Sequence, residues 1–322
     1  MRSAKSAKVR VNGGLTAIKQ TSVAVAAALT VACTSARVDR RGGIDPGATV
    51  RVRLDGRVVA VPIESYVRTV ILSEFAPVAA DPTNVEHMLE LQAIVSRTYA
   101  LTPRHSAAGY DLCSTTHCQL YQPSRVAASR WHGAAEEAVR RTAGVLLWFG
   151  DTPARVAYHA DCGGRTSAAH DVWEGRALSY LASVVDDDAG APHAPWQFAP
   201  DMAALRRALN ADKRTRVGSF LNRIDVVRRD STGRAQLIAI DGERSPVIRG
   251  EEFRVVVGRA FGPRALRSTW FEVVRTAHGF TFNGRGFGHG VGLCQAGAYA
   301  RIMRGASRAE VLTRYFPGTT VH

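Results

Sequence analysis

Gly284-Arg285-Gly286-Phe287-Gly288-His289-Gly290-Val291-Gly292 puts a glycine at every second position across nine residues. The spacing is not that of a dinucleotide-binding G-x-G-x-x-G, and it lacks the lysine of a phosphate-binding loop. Side chains alternate between faces in an extended chain, so the stretch predicts a ribbon with Arg285, Phe287, His289 and Val291 on one side. The other side would be bare backbone, which another chain or a saccharide could approach closely. A tightly packed strand with glycines for steric reasons is the plainer reading of the same pattern.

On the C-terminal side a helix is expected to end near Gly305. Ser307 and Glu310 then cap a last short helix that stops at Pro317-Gly318. On the N-terminal side, residues 224–282 read as short strands with turns at Ser231-Thr232-Gly233 and Asp241-Gly242. Strands are also expected at Val145–Phe149 and Ala154–Ala160, after a helix over 131–143. Thr83 and Glu86 form a capping box ahead of a helix striped by Val85, Met88, Leu89, Leu91, Val95 and Tyr99. Further back, 50–59 alternates around Asp55-Gly56, a hairpin signal. Strands and helices do not alternate regularly, so the class is α+β: one domain over 48–322 of mixed helices and short antiparallel strands, with a β-rich section at about 224–282.

The 322 residues carry a formal charge of +14 and are 46% apolar, a globular composition. Five of those positive charges lie in residues 1–32, which contain no acid, and only Lys5, Lys8, Lys19 and Lys213 are lysines. No block of like charge and no nucleic-acid-binding pattern accompanies the charge, so nucleic acid is not an expected partner. The basic start runs into an apolar stretch from Val23 to Ala32 and then Cys33-Thr34-Ser35, the layout of an export signal. That stretch is too short to span a bilayer, which takes roughly 20 residues. Residues 1–32 are therefore expected to be a signal peptide and 33–47 a linker. The chain is placed in the cell envelope, touching membrane only through the signal or a lipid on Cys33. Leu29-Thr30-Val31-Ala32-Cys33 resembles a lipoprotein box, with Thr30 in an unusual place.

Three sets of residues can carry chemistry. Glu74 falls between the apolar run Val67, Val70, Ile71, Leu72 and Phe75/Pro77. Apolar surroundings raise a carboxyl pKa and suit it to general-acid work, although a surface Glu at a helix end has the same local sequence. Cys113, His117 and Cys118, with His105 upstream, could hold a tetrahedral zinc, and a Cys113–Cys118 disulfide is the alternative in an oxidising compartment. Cys162 and Cys294 are left as a disulfide or two buried thiols, and a cysteine nucleophile would need a nearby His such as His289.

Five blocks, in order, carry a family resemblance. They are Val61-Pro62-Ile63-Glu64-Ser65-Tyr66-Val67 through Glu74, then Leu91-Gln92-Ala93-Ile94-Val95-Ser96-Arg97-Thr98-Tyr99-Ala100, and Tyr110-Asp111-Leu112-Cys113 to Gln119-Leu120-Tyr121. Tyr158-His159-Ala160-Asp161-Cys162-Gly163-Gly164-Arg165-Thr166 follows, and last the 286–298 segment with a Tyr315-Phe316-Pro317-Gly318-Thr319 ending. Together they resemble the stage II sporulation protein D family, also called the amidase-enhancer family, over about 48–322. The resemblance implies a lytic transglycosylase acting on peptidoglycan glycan strands whose stem peptides an amidase has removed. It places the catalytic role on Glu74 and substrate contacts on Arg97, His289, Arg285 and Gln295. It also implies a structural zinc on Cys113, His117, Cys118 and His105, and a cell-wall amidase as partner. A non-catalytic glycan-binding module that enhances an amidase is the alternative. Two departures stand out: a longer link follows Glu74-Phe75-Ala76-Pro77, and Cys294 stands where the family commonly has Ser.

Overall fold

The computed structural model describes residues 44, 47–75, 81–102, 108–186 and 195–322, all within one compact unit, Thr34–His322. The expected signal peptide, Cys33 and His105 lie outside the described residues, as does the 33–47 linker apart from Ile44 and Gly47. Nine helices occur among the described residues: α1 (Ile63–Glu74), α2 (Pro82–Leu101), α3 (Pro123–Ala128), α4 (His132–Arg141), α5 (Ala169–Val172), α6 (Met202–Asn210), α7 (Gly250–Phe261), α8 (Gln295–Met303) and α9 (Arg308–Tyr315). Short strands form small sheets among them, as an α+β fold requires.

The first hairpin forms where the alternation placed it, Thr49–Leu54 against Arg57–Pro62, with Asp55 and Gly56 both at positive φ in the turn. α1 follows directly. α2 begins earlier than its apparent capping box: Asp81 is the N-cap, its Oδ1 accepting the Asn84 amide at 3.2 Å, and Pro82 occupies the first turn. Thr83 and Glu86 therefore sit inside the helix. The single stripe expected on α2 is two. Val85, Leu89 and Ala93 enter a core with α1, α4 and the first hairpin. Met88, Leu91, Ile94 and Val95 enter another with α8, α9 and the 154–162 segment. A helix buried on both sides must also bury its polar side chains, which is why Gln92, Ser96 and Arg97 have no exposed surface.

A third core draws only on residues 196–282, with Trp196, Leu205, Phe253, Phe271 and Phe282 among its members. Here the sequence reading needs correcting: 224–282 is not strands throughout. Strands Leu221–Arg229, Ala235–Gly242 and Val247–Arg249 pair antiparallel, and then α7 intervenes before the hairpin Phe271–Thr276/Gly279–Arg285. The Val255-Val256-Val257 run reads as strand by propensity. Its spacing from Phe253 to Val256 and Val257 buries a helical face, and Glu252 caps the helix back onto the Arg249 amide. The turn expected at Asp241-Gly242 falls just beyond, since both residues end a strand. The expected 154–160 strand shortens to Tyr158–His159, because the Val156 amide bonds the Ala154 carbonyl two residues back.

The 284–292 segment is not an extended ribbon. Gly286, Gly288, Gly290 and Gly292 all have positive φ, so the chain bends at every second residue. The close approach expected of its backbone does occur, and the approaching chain is the protein's own 157–167 segment. Phe287 and Asp161 exchange backbone bonds at 2.7 and 3.0 Å, and the Ser167 amide donates to the Gly290 carbonyl at 2.7 Å. A Cβ on Gly288 would lie 2.7 Å from that of His159, which leaves no room for a side chain.

Candidate active site

Glu74 is the last residue of α1, where the chain turns extended at Phe75. No basic residue occupies that last turn, and helix carbonyls carry partial negative charge there, an unfavourable setting for a carboxylate. Burial pushes its pKa above the usual 4.5. Three groups oppose that shift without cancelling it: the Leu120 amide, donating to Oε1 at 2.5 Å, the Tyr158 hydroxyl and the Arg125 cation.

The 114–125 segment delivers the Leu120 amide and Arg125, and Tyr158 comes from a separate short strand. The Tyr121 amide bonds the Ser114 carbonyl at 3.1 Å, closing 114–121, and the Gln122 amide bonds Ser73 Oγ at 3.1 Å, docking the loop on the end of α1. Arg125 adds a bond to the Ser73 carbonyl at 2.9 Å. Cys113 and Cys118 staple the same loop, their sulfurs at disulfide distance, with His117 Nδ1 3.7 Å from each. The disulfide alternative thus has its geometry, while the Cys113, His117 and Cys118 donors also suit a thiophilic metal once the sulfurs are reduced.

The hydrogen bonds around Tyr158 have a direction. Gln119 Oε1 accepts from the Tyr66 hydroxyl at 3.1 Å, so its amide group donates to the Tyr158 oxygen at 3.0 Å. The Tyr158 proton is then free for Glu74. Tyr66 stacks on Tyr121 at 5.3 Å and Tyr99 meets Tyr158 edge-on at 6.3 Å, which makes the surroundings of Glu74 aromatic. Burial raises the Tyr66 and Tyr158 pKa values, keeping both as neutral phenols. The sequence blocks contained Gln119, Leu120, Tyr121 and Tyr158 but assigned them no role. Only their convergence from separate segments reveals one.

His289 is reached through the same tyrosine. Its Nδ1 accepts the Val291 amide at 3.0 Å, so Nε2 carries the proton, and the Tyr158 backbone is its hydrogen-bond partner. Burial lowers its pKa to about 4, so the ring is neutral near pH 7. Trp173 packs against it with ring centres 4.8 Å apart.

The other expected substrate contacts lie elsewhere. Arg97 is fully buried and bidentate on Glu64, with Nε–Oε1 at 2.9 Å and Nη2–Oε2 at 2.6 Å, and its Nη1 reaches the Val145 carbonyl at 3.3 Å. In this arrangement it presents no donor to a ligand, and its evident work is to tie α1 to α2. Gln295 is buried too, donating to Gln92 Oε1 at 3.2 Å, while Gln92 donates to Ser96 Oγ at 3.1 Å. That chain of amides joins α8 to α2 beneath Gln119, whose amide also reaches the Ser96 carbonyl at 3.4 Å. Arg285 is exposed, its guanidinium 3.6 Å from the centre of the Trp270 ring. A surface depression of about 1110 Å³ lined by 183–185 and 301–314 contains none of these residues.

Comparison with known proteins follows this division of the chain. Residues 55–149, which hold Glu74, Arg97 and the cysteine loop, match the profile of the Stage II sporulation protein family. Residues 194–292, nearly the span of the third core, match a domain of unknown function. An uncharacterized protein of Brachyspira hyodysenteriae is 27% identical over 267 residues, covering 80% of this chain and 66% of its own length. The stage II sporulation protein D of Bacillus subtilis is 26% identical, covering 81% of this chain and 74% of its own. The amidase enhancer of Bacillus subtilis is 24% identical over 72% of this chain and 37% of its own length. The chain thus spans about two thirds of the Brachyspira protein and little more than a third of the amidase enhancer.

Proposed function

We propose that the chain, which resembles the stage II sporulation protein D and amidase-enhancer family, is a lytic transglycosylase of peptide-stripped peptidoglycan glycan strands. The observation that carries this reading is the setting of Glu74: one carboxyl, kept protonated to higher pH by burial, with a phenol and a backbone amide holding it in place. Hydrolytic glycosidases ordinarily need a pair of carboxylates about the scissile bond. Intramolecular transfer needs one, because the attacking hydroxyl belongs to the sugar itself.

In this reading Glu74 gives its proton to the glycosidic oxygen linking MurNAc to GlcNAc. The resulting carboxylate, stabilised by the Leu120 amide and the Tyr158 hydroxyl, then takes the proton from the MurNAc 6-hydroxyl as that oxygen closes on C1. The product is a 1,6-anhydro-MurNAc end. His289, neutral and held through Tyr158, orients the tyrosine. Arg285, exposed on Trp270, is the cation placed to meet the lactyl carboxylates of stripped glycan. Arg97 has a structural role instead. We further propose that the chain is exported to the cell envelope, as residues 1–33 suggest, where a Cys113–Cys118 disulfide would form.

The relative named an amidase enhancer supports a second reading, a glycan-binding module that activates a separate amidase without cleaving the strand. Incubating the protein with amidase-treated peptidoglycan and identifying the products by mass spectrometry separates the two. Glycan fragments with 1,6-anhydro-MurNAc ends support the transglycosylase, while retention on the glycan with no product supports the enhancer.

A further inference from the structure

We propose that His159, Cys162 and Cys294 form a buried binding site for a thiophilic d10 cation, Zn2+ or Cu+, separate from the Cys113 loop. A ring nitrogen of His159 and the two sulfurs lie mutually within 4.8 Å. All three residues are buried, at 4%, 0% and 0% exposure. Soft thiolate and imidazole donors in a dry setting select such cations over Mg2+ or Ca2+.

The surroundings are those of metal ligands. His159 Nδ1 lies 3.1 Å from the Val291 carbonyl, which makes it the N–H and leaves a lone pair on Nε2, and Nε2 has no hydrogen-bond partner. The sulfurs are acceptors of backbone amides: Cys294 Sγ from Cys162 at 3.2 Å and Gly297 at 3.3 Å, Cys162 Sγ from Gly164 at 3.3 Å. These amides fix the orientation of the two sulfurs, and Cys294 is also the N-cap of α8. Arg234, 1% exposed, donates through Nη2 to the Cys162 carbonyl, while its Nε and Nη1 have no partner. Its charge lies beside both thiols as well as the carboxylates of Asp230 and Glu251. Binding would displace the two thiol protons to solvent and leave two S–metal bonds. Asp186, whose Oδ2 lies 3.3 Å from Cys162 Sγ, would lose that thiol donor and keep Tyr315 and Arg301.

The site would tie the Tyr158–Gly164 segment to the start of α8, and the inference does not depend on the proposed function. The test uses the full chain carrying Cys113→Ser and Cys118→Ser. It is loaded with Zn2+ or with Cu+ under reducing conditions and desalted, and bound metal and thiols are then counted. Retention of about one equivalent per chain is expected, at least about tenfold weaker after Cys162→Ser or Cys294→Ser. Co2+ in place of Zn2+ should give sulfur-to-cobalt charge-transfer absorption that Cys162→Ser abolishes. Should the serine variants not fold, the same absorption in the unaltered chain is compared with that of the Cys113→Ser/Cys118→Ser protein, and survival of the band supports the site. No retained metal, retention indifferent to Cys162 and Cys294, or a Cys162–Cys294 disulfide found after unfolding would each overturn it.

Discussion

Arg97 and Glu64 form a two-pronged ion pair, 2.6 and 2.9 Å, that joins α2 to the first turn of α1 with the guanidinium wholly buried. A cation in that position serves the fold. Removing its partner by Glu64→Gln leaves Arg97 buried and uncompensated, at a cost of about 3 kcal/mol. Urea denaturation measures this. If Arg97 instead binds lactyl carboxylates, Arg97→Lys should leave stability intact and raise KM alone, and that outcome would contradict the structural role.

Glu74→Gln keeps the shape of the side chain and removes its proton chemistry. Release of anhydro-MurNAc ends should fall by roughly a hundredfold to ten-thousandfold, with circular dichroism unchanged. Full activity in this variant would exclude Glu74 as the acid.

Tyr158→Phe deletes a donor that favours the Glu74 carboxylate, so the Glu74 pKa should rise further. As a general acid Glu74 works while protonated, so activity falls as pH rises through its pKa, and in the variant that fall moves to higher pH. Titration of the Glu74 carboxyl by NMR reads the same shift without any enzyme assay.

His289 is held at about 4 against 6.5 when unfolded. The unfolded chain therefore takes up a proton that the native chain refuses. Its contribution to stability is present above pH 6.5 and is lost as pH falls toward 4, by at most about 3 kcal/mol. Denaturant midpoints between pH 7 and 4 should show a flatter decline in His289→Asn than in the unaltered protein. His159 is shifted in the same direction by burial and persists in both.

The Cys113–Cys118 staple supports the loop that carries Leu120 to Glu74. Reduction, or Cys113→Ser, should lower activity more than it lowers global stability, because the staple closes only a short loop. Thiol counting before and after reduction, with zinc analysis alongside, distinguishes the disulfide from a metal on Cys113, His117 and Cys118.

Gly288→Ala should destabilise by about 1–3 kcal/mol, since φ is +108° and the new methyl would meet the His159 Cβ. Thermal melting of the variant checks this.

Local pattern determined much of this protein. The Asp55-Gly56 turn and the Ser307/Glu310 capping box each express forces acting within a few residues, and each appears where the sequence placed it. Ordered motif blocks brought out the family resemblance and singled out Glu74. What the tertiary structure alone decided is which buried groups face one another. Glu64 lies thirty-three residues before Arg97, and Gln119 stands thirty-nine before Tyr158. Pairings at such separations leave no periodic trace. The alternating glycines show the same division. Their spacing announced close backbone contact, but the bends at positive φ follow from packing against the 157–167 segment, a partner that exists only once the chain has folded.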